Sequence, residues 1–355
     1  MLSACPATPV QTTDQRNPIQ SGDTRQTTLM QQWDCGVRGL GVGPSPRGRD
    51  APSCRSCCWR ASGPAGGSEL SPRSKMAAGI RRHFDLAYGP HGQRNLLDLY
   101  LPAAGPNGAP PPPLVLCIHG GGWRGGDKRA FRWMGEDLAR RGFAAASLTY
   151  RFWPEAPFPA QLDDAQRAVR WLRHHSAHYG YDPGRVGAIG GSAGAHLSAF
   201  LALVDTEQAD DPSELNAYSS RVSCVVDCYG PVDLHGRCTL RWPATGVCLT
   251  DAVKLPSLVR TGMMSNASAP IVLGLMAGRP LEGNEDAYRA ASPHHAVFAQ
   301  QSETPPPFLV VHGTADIGAQ QGQVPFQQSE RFVDALRGAY PTIRPFLVEC
   351  ERSSP

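Results

Sequence analysis

No stretch of the 355-residue chain approaches the ~18 consecutive apolar residues that a membrane-spanning helix requires, so no membrane span is expected. The first twenty residues, MLSACPATPVQTTDQRNPIQ, lack both a basic start and a continuous apolar segment. A secretory signal is therefore not expected, and the location this implies is cytoplasmic. An excess of charge is missing too. Lys and Arg number 34 against 31 Asp and Glu, a net +3, and no basic stripe interleaves with aromatics. That argues against nucleic acid as a partner. There is no G-x-G-x-x-G fingerprint and no Walker A lysine, and no cofactor is implied. Cys54, Cys57 and Cys58 make half of a zinc motif without a second pair or a histidine at finger spacing, so no metal is expected there. The eleven cysteines are an odd number, which argues against a full set of intrachain bridges. Cys117 and Cys224 lie in apolar strand-like runs and read as small buried hydrophobes.

What the chain does have is enough apolar residue, 41%, to fill the core of one large domain or two small ones. Residues 1–75 show poor periodicity and are rich in Gln, Thr, Ser, Gly, Pro and Arg. They read as a disordered leader without stable core contacts, with Met76 as an alternative start; a regulatory tail is the other reading. Residues 76–355 read as the ordered domain. LLDLYL (96–101), LVLCI (114–118), FAAASLTY (143–150), RVGAI (185–189), VSCVVDCY (222–229), PFLVV (307–311) and PFLVE (345–349) predict strands. Between them, 130–141, 162–179, 196–204 and 329–336 predict helices, with Gly180 closing the second in a left-handed conformation. Strands alternating with helices predict an α/β fold with a mainly parallel sheet flanked on both faces. Residues 234–290 break the alternation. Trp242, Leu249, Leu255, Leu258, Met263, Met264 and Leu275 lie there among turns, which predicts a small cap inserted over the carboxyl edge of the sheet.

Two motifs carry chemistry. GGSAG (190–194) is a G-x-S-x-G set between strand RVGAI and helix AHLSAF. That context makes a tight strand-to-helix turn, in which Gly190 and Gly194 avoid clashes and Ser192 projects at the top of the sheet. The following helix aims its unpaired N–H groups at the same place. A glycine-rich turn binding phosphate is the bland alternative. HGGGW (His119–Trp123) directly follows strand LVLCI. Its glycines let backbone N–H groups approach a substrate oxygen, and with the N–H of Ala193 they would form an oxyanion hole. His119 reads as ordering this loop, and Trp123 and Phe152 as walls of a substrate pocket.

Together with YRFWPEAPFPAQLDDAQRAVRWLR (150–173), YGYDPGRVGAIGGSAGAHLSA (179–199), YGPVDL (229–234), ASPHH (291–295) and PPFLVVHGTAD (306–316), these motifs resemble the α/β-hydrolases of the hormone-sensitive-lipase-like and bacterial carboxylesterase groups. The resemblance covers roughly 85–350. It implies an α/β-hydrolase fold and a serine carboxylic-ester hydrolase of short-acyl or small esters, with Ser192 as nucleophile, Gly121, Gly122 and Ala193 as oxyanion donors and Asp316 as triad acid. It implies no cofactor, and it leaves a homodimer open. His312 and the turn Pro157, Phe158 and Pro159 are structural in that family. Asp163 and Asp164, at the start of a helix, read as capping residues.

The chain departs from the family in one respect. The triad histidine should follow the last strand, yet no histidine follows His312. A serine without a base is a weak nucleophile. Three accounts stand open: a truncated or frameshifted product, a substitute base from His294 or His295, or a pseudo-hydrolase that binds a small ligand. The same machinery would also serve an amidase or formamidase. The segment DIGAQQGQVPFQQS (316–329) is longer than the family pattern, which would disturb how Asp316 faces its partner.

Overall fold

The computed structural model describes residues 79–103, 108–207, 213–235, 275–299, 304–314 and 324–350. The leader 1–75 with its C-x-x-C, the bulk of the expected cap and Asp316 lie outside these residues. Eight strands form one sheet: β1 Arg81–Ala87, β2 Leu96–Leu101, β3 Leu114–Ile118, β4 Ala144–Leu148, β5 Val186–Gly191, β6 Cys224–Cys228, β7 Phe308–Gly313 and β8 Phe346–Cys350, in the order β1-β2-β4-β3-β5-β6-β7-β8. From β4 through β8 every pairing is parallel, and β2 alone is reversed, pairing antiparallel with both β1 and β4. Strand β1 was not foreseen, because its RRHFDLA shows no strong alternation and most of its side chains are exposed.

The helices that matter are α1 Arg132–Arg140, α2 Ala160–His174, α3 Ala193–Leu203, α4 Glu285–Ala290, α5 Pro293–Ala299 and α6 Phe326–Ala339. The α2 helix ends earlier than its pattern predicts, at His174, and a one-turn helix, Ser176–Tyr179, follows. Gly180 then closes that turn at φ 83°, as expected. Every residue of α3 is buried, which an all-round apolar helix requires. It belongs to the main core with Leu116, Ile118, Ala188, Val225, Phe308 and Val310 from the sheet.

The opposite sheet face is covered unevenly. The α1 helix packs over β2 and β4, around Tyr100, Ala139 and Ala145. On the β6–β8 part of that face the described residues leave Cys224 exposed, Val226, Cys228, Leu309, Val311 and Val348 half-buried, and Phe346 67% exposed. Cys224 therefore departs from the buried position expected of it, whereas Cys117 is fully buried. Asp164 is not a helix cap either. Helix α2 starts at Ala160, and the fully buried Asp164 carboxylate takes the backbone N–H of Arg151 at 2.7 Å and its guanidinium at 2.8–3.0 Å.

The crossing of β3, β5 and α3 is the tightest point of the fold. A Cβ on Gly194 would lie 2.0 Å from the Ile118 carbonyl oxygen, and one on Gly190 would lie 2.3 Å from the Gly194 carbonyl. Backbone cannot yield as a flexible side chain does. Gly194→Ala is therefore expected to destabilise the protein by about 3 kcal/mol, the upper range of overpacking, in a denaturant titration. A loss below ~1 kcal/mol would contradict the packing described.

Candidate active site

Ser192 sits between the end of β5 and the first turn of α3 with φ 55° and ψ −120°, a conformation L-residues rarely adopt. Surroundings must impose it. Its N–H donates to the Cys228 carbonyl of β6 at 2.9 Å, and its carbonyl accepts from the His196 N–H at 3.1 Å. The side chain is half-buried. Among the described residues the Ser192 hydroxyl makes no hydrogen bond.

The loop after β3 folds against this turn. A Cβ on Gly120 would touch the Ser192 Cβ at 3.3 Å and the Gly191 oxygen at 2.7 Å. Gly120 was not singled out from the sequence, yet its missing side chain is what lets the two segments meet. Gly121 and Gly122 follow at φ 116° and 60°, and the backbone turns back so tightly that Gly121 abuts the Gly125 carbonyl. Among the described residues, no backbone carbonyl accepts from the N–H of Gly121, Gly122 or Ala193. Ala193 is the first residue of α3, where helical N–H groups lack intrahelical partners.

Aromatic rings hold this loop. His119 stacks on Tyr150 at 4.6 Å, donates from Nδ1 to the Gly120 carbonyl at 2.7 Å, and receives the Tyr150 hydroxyl on its own carbonyl at 3.0 Å. Burial pushes its imidazole down to about 4, against the pull of the Gly120 carbonyl, so it is neutral near pH 7. Trp123 is only 2% exposed and lies edge-on to His196 at 5.0 Å. Phe152 is 5% exposed, under the Arg94 guanidinium at 4.1 Å and beside His119 at 5.7 Å. Both rings, expected to wall a pocket, are largely enclosed by protein.

All eleven histidines lie within the described residues. His196, one turn along α3, donates from Nε2 to the Ala291 carbonyl at 2.9 Å, and burial pushes it down to about 4. His312 has both ring nitrogens engaged, with the Ser329 hydroxyl at 2.7 Å and the Val324 carbonyl at 3.0 Å. The loop it opens, toward Asp316, leaves β7 at the same sheet edge as Ser192. His174, His175 and His178 close the helix that runs back from that edge, and the His83 ring packs on Tyr179 beside them. His91 lies at the turn into β2, three strands from β5. His235, His294 and His295 remain, gathered near Asp233: His295 Nε2 lies 3.7 Å from Asp233 Oδ1, and the His294 N–H donates to the Val232 carbonyl at 2.9 Å. Burial lowers both His294 and His295, and Asp233 partly offsets it. Among the described residues, neither His294 nor His295 is hydrogen-bonded to Ser192.

Beneath the turn lies a carboxyl group the sequence did not flag. Asp227, paired with Gly190, is 1% exposed; Oδ1 accepts from the Gly230 N–H at 2.8 Å, and Oδ2 has no partner among the described residues. Burial pushes the acid up to about 6, while the Gly230 N–H pulls it down. The fold thus favours the neutral form. Its contribution is complete below the unfolded value of roughly 4 and fades as pH rises through about 6. Asp227→Asn, which cannot ionise, is expected to abolish this loss. Relative to wild type it should gain up to about 3 kcal/mol between pH 4 and pH 7 in urea titrations; a pH-independent difference would count against the buried neutral acid.

The comparisons with known proteins fit this geometry. The BD-FAE family model matches residues 97–336. Two relatives come from Mycobacterium tuberculosis: "Probable carboxylic ester hydrolase LipM", 30% identical over 84% of this chain and 61% of its own, and "Esterase LipQ", 30% identical over 81% and 62%. The chain thus spans about three fifths of the length of these curated relatives. A butyrate-bound structure of the thermophilic esterase Est2 from the planctomycete Thermogutta terrifontis superposes with a TM-score of 0.53 at 27% identity, over 79% of this chain and 85% of that one. The fold is that of the α/β-hydrolases.

Proposed function

The chain belongs to the BD-FAE family, and on that premise we propose that it is a serine carboxylic-ester hydrolase with Ser192 as nucleophile. One observation carries the reading: Ser192, in its strained conformation, meets a loop and a helix start in which the N–H groups of Gly121, Gly122 and Ala193 have no backbone acceptor among the described residues. Ser192 attacks the ester carbonyl, and the N–H groups of Gly121, Gly122 and Ala193 receive the oxyanion. Asp316, three residues beyond β7, is the triad acid. The tetrahedral adduct collapses, the ester C–O bond breaks and the alcohol departs with the proton that Ser192 gave up; water then attacks the acyl-serine, releasing the carboxylic acid and returning a proton to Ser192. Esterase names among the relatives favour esters over amides, although the same groups would serve an amidase or formamidase. The butyrate in the Est2 structure supports a short acyl group. Across p-nitrophenyl esters from acetate to decanoate, kcat/KM is expected to peak at four carbons or fewer; equal rates for all lengths, or a preference for charged acids, would defeat the short-acyl reading.

A second reading has its own support. The Ser192 hydroxyl has no histidine partner among the described residues, so the chain as it stands is a slow catalyst or a binder of small ligands. Losing a triad member still leaves roughly 10³–10⁴-fold catalysis from the remaining groups. Added imidazole separates the two readings. If the site lacks only its base, the p-nitrophenyl acetate rate should rise with imidazole concentration, and Ser192→Ala should abolish that rise above the buffer reaction. A family-like C-terminal extension carrying the histidine should raise turnover by at least ~10²-fold. A folded protein inert to both treatments would favour ligand binding. A rate that is fast without imidazole and is lost on replacing His294 or His295 would assign one of these as base.

A further inference from the structure

The loop bearing Gly121 and Gly122 is an unusual piece of backbone. Gly121, Gly122, Trp123 and Gly126 all have positive φ, at 116°, 60°, 56° and 112°. Such a path persists only where its surroundings over-determine it. Its start is fixed by the His119–Tyr150 contacts, and its middle by the Trp153 N–H on the Trp123 carbonyl at 2.9 Å. Its end is fixed differently, by charge. Lys128, 8% exposed, begins the 3-10 turn after the loop, and its ammonium lies 2.6 Å from Asp98 Oδ1 on β2 and 2.7 Å from Asp85 Oδ1 on β1.

These partners are remote in the sheet. The loop leaves from β3, and β4 separates β3 from β2, so the segment between β3 and Lys128 crosses two strand spacings, roughly 10 Å, in bringing the ammonium to Asp98. Asp85 reaches the same point because β1 breaks register between His83 and Leu86 and Asp85 adopts φ 56°. Its N–H donates to the same Asp98 oxygen at 3.0 Å, closing a three-member network. Burial works against the Lys128 charge, but hydrogen bonds to Asp85 and Asp98 outweigh it and raise its pKa. A register break in an edge strand is a built feature, and here it brings Asp85 to both Lys128 and Asp98.

We propose that Lys128 is a positioning residue: its pairing with the buried Asp98 and the exposed Asp85 ties the end of the 119–127 loop to β2 and β1 and so sets where the Gly121 and Gly122 N–H groups stand relative to Ser192. The proposal rests on the ester-hydrolase reading for its kinetic consequence, and on geometry alone for the tether. Lys128 touches no substrate. A misplacement of about 1 Å from a change outside the chemistry can cost ~10²-fold in rate.

The test uses the full chain with p-nitrophenyl acetate in the imidazole-supplemented assay, together with amide hydrogen exchange of the 119–128 segment. Lys128→Met leaves the buried Asp98 without its cation, so the double variant Lys128→Met, Asp98→Asn removes both charges and protects against simple misfolding. Either variant, if folded, is expected to lower kcat by ~10–100-fold with KM within ~3-fold, and to speed exchange in 119–128 while β5 and α3 keep their protection. Lys128→Arg should restore part of kcat. Unchanged exchange in 119–128 would overturn the tether, as would faster exchange spread over the whole sheet or a fall in affinity with kcat intact. If Ser192→Ala keeps the wild-type rate, the ester-hydrolase reading fails by itself, and the exchange result alone decides the tether.

Discussion

The structure depends on one steric constraint, the crossing of β3, β5 and α3. The Gly194 Cα stands where any side chain would strike the Ile118 carbonyl, and Gly190 stands against the Gly194 backbone. With no side chains there, a parallel strand can turn directly into a fully buried helix. That turn forces Ser192 into φ 55° and leaves the first N–H groups of the helix facing the same spot. The loop after β3 must then pass within contact of Ser192, which only glycine at 120 permits. Strand pairing, helix burial and the candidate chemistry therefore share one set of close contacts. Loosening it would cost all three.

Around this crossing, polar groups are buried in two ways. Some are paired across the fold: Asp164 with Arg151, Lys128 with Asp98, and Gln328, whose side-chain oxygen takes the N–H groups of Val232 and Asp233 at 3.0 and 2.8 Å. These fix the loops leaving the sheet edge. Others are held neutral. Asp227, His119, His196 and His312 all sit where burial opposes charge, and the three histidines are pushed down to about 4. A histidine so buried and bonded orders a loop. It does not carry protons near pH 7. Among the described residues, the Ser192 hydroxyl has no histidine beside it, while the N–H groups of Gly121, Gly122 and Ala193 have no backbone acceptor.

Most of the architecture was legible in the residues. Seven of the eight strands follow apolar runs bounded by turns, because strands buried on both faces must be apolar throughout. Strand β1 escaped since it is an exposed edge strand whose place is set by pairing with β2. Helix α2 read as one long helix, since its periodicity continues through the one-turn helix that follows. Asp164 read as a cap because acidic residues at a helix start usually are, yet its carboxylate turns inward to Arg151, a partner thirteen residues earlier that no local pattern marks. Cys224 read as buried from its apolar neighbours, but it lies on the stretch of sheet face that the described helices leave open.

The sequence by itself determined the fold class, the nucleophile turn and the glycine loop, because each needs a fixed local pattern: alternating apolar runs, G-x-S-x-G between strand and helix, and glycine where φ is positive. It also determined that no histidine follows His312, a fact of order along the chain. Only the tertiary structure decided which charges meet. Lys128 and Asp98 are 30 residues apart, Asp98 and Asp85 13, and the three lie on different elements, and Asp227 becomes a buried acid only because α3 packs over β6. Local pattern encodes backbone conformation, whereas burial and charge pairing are properties of the assembled sheet.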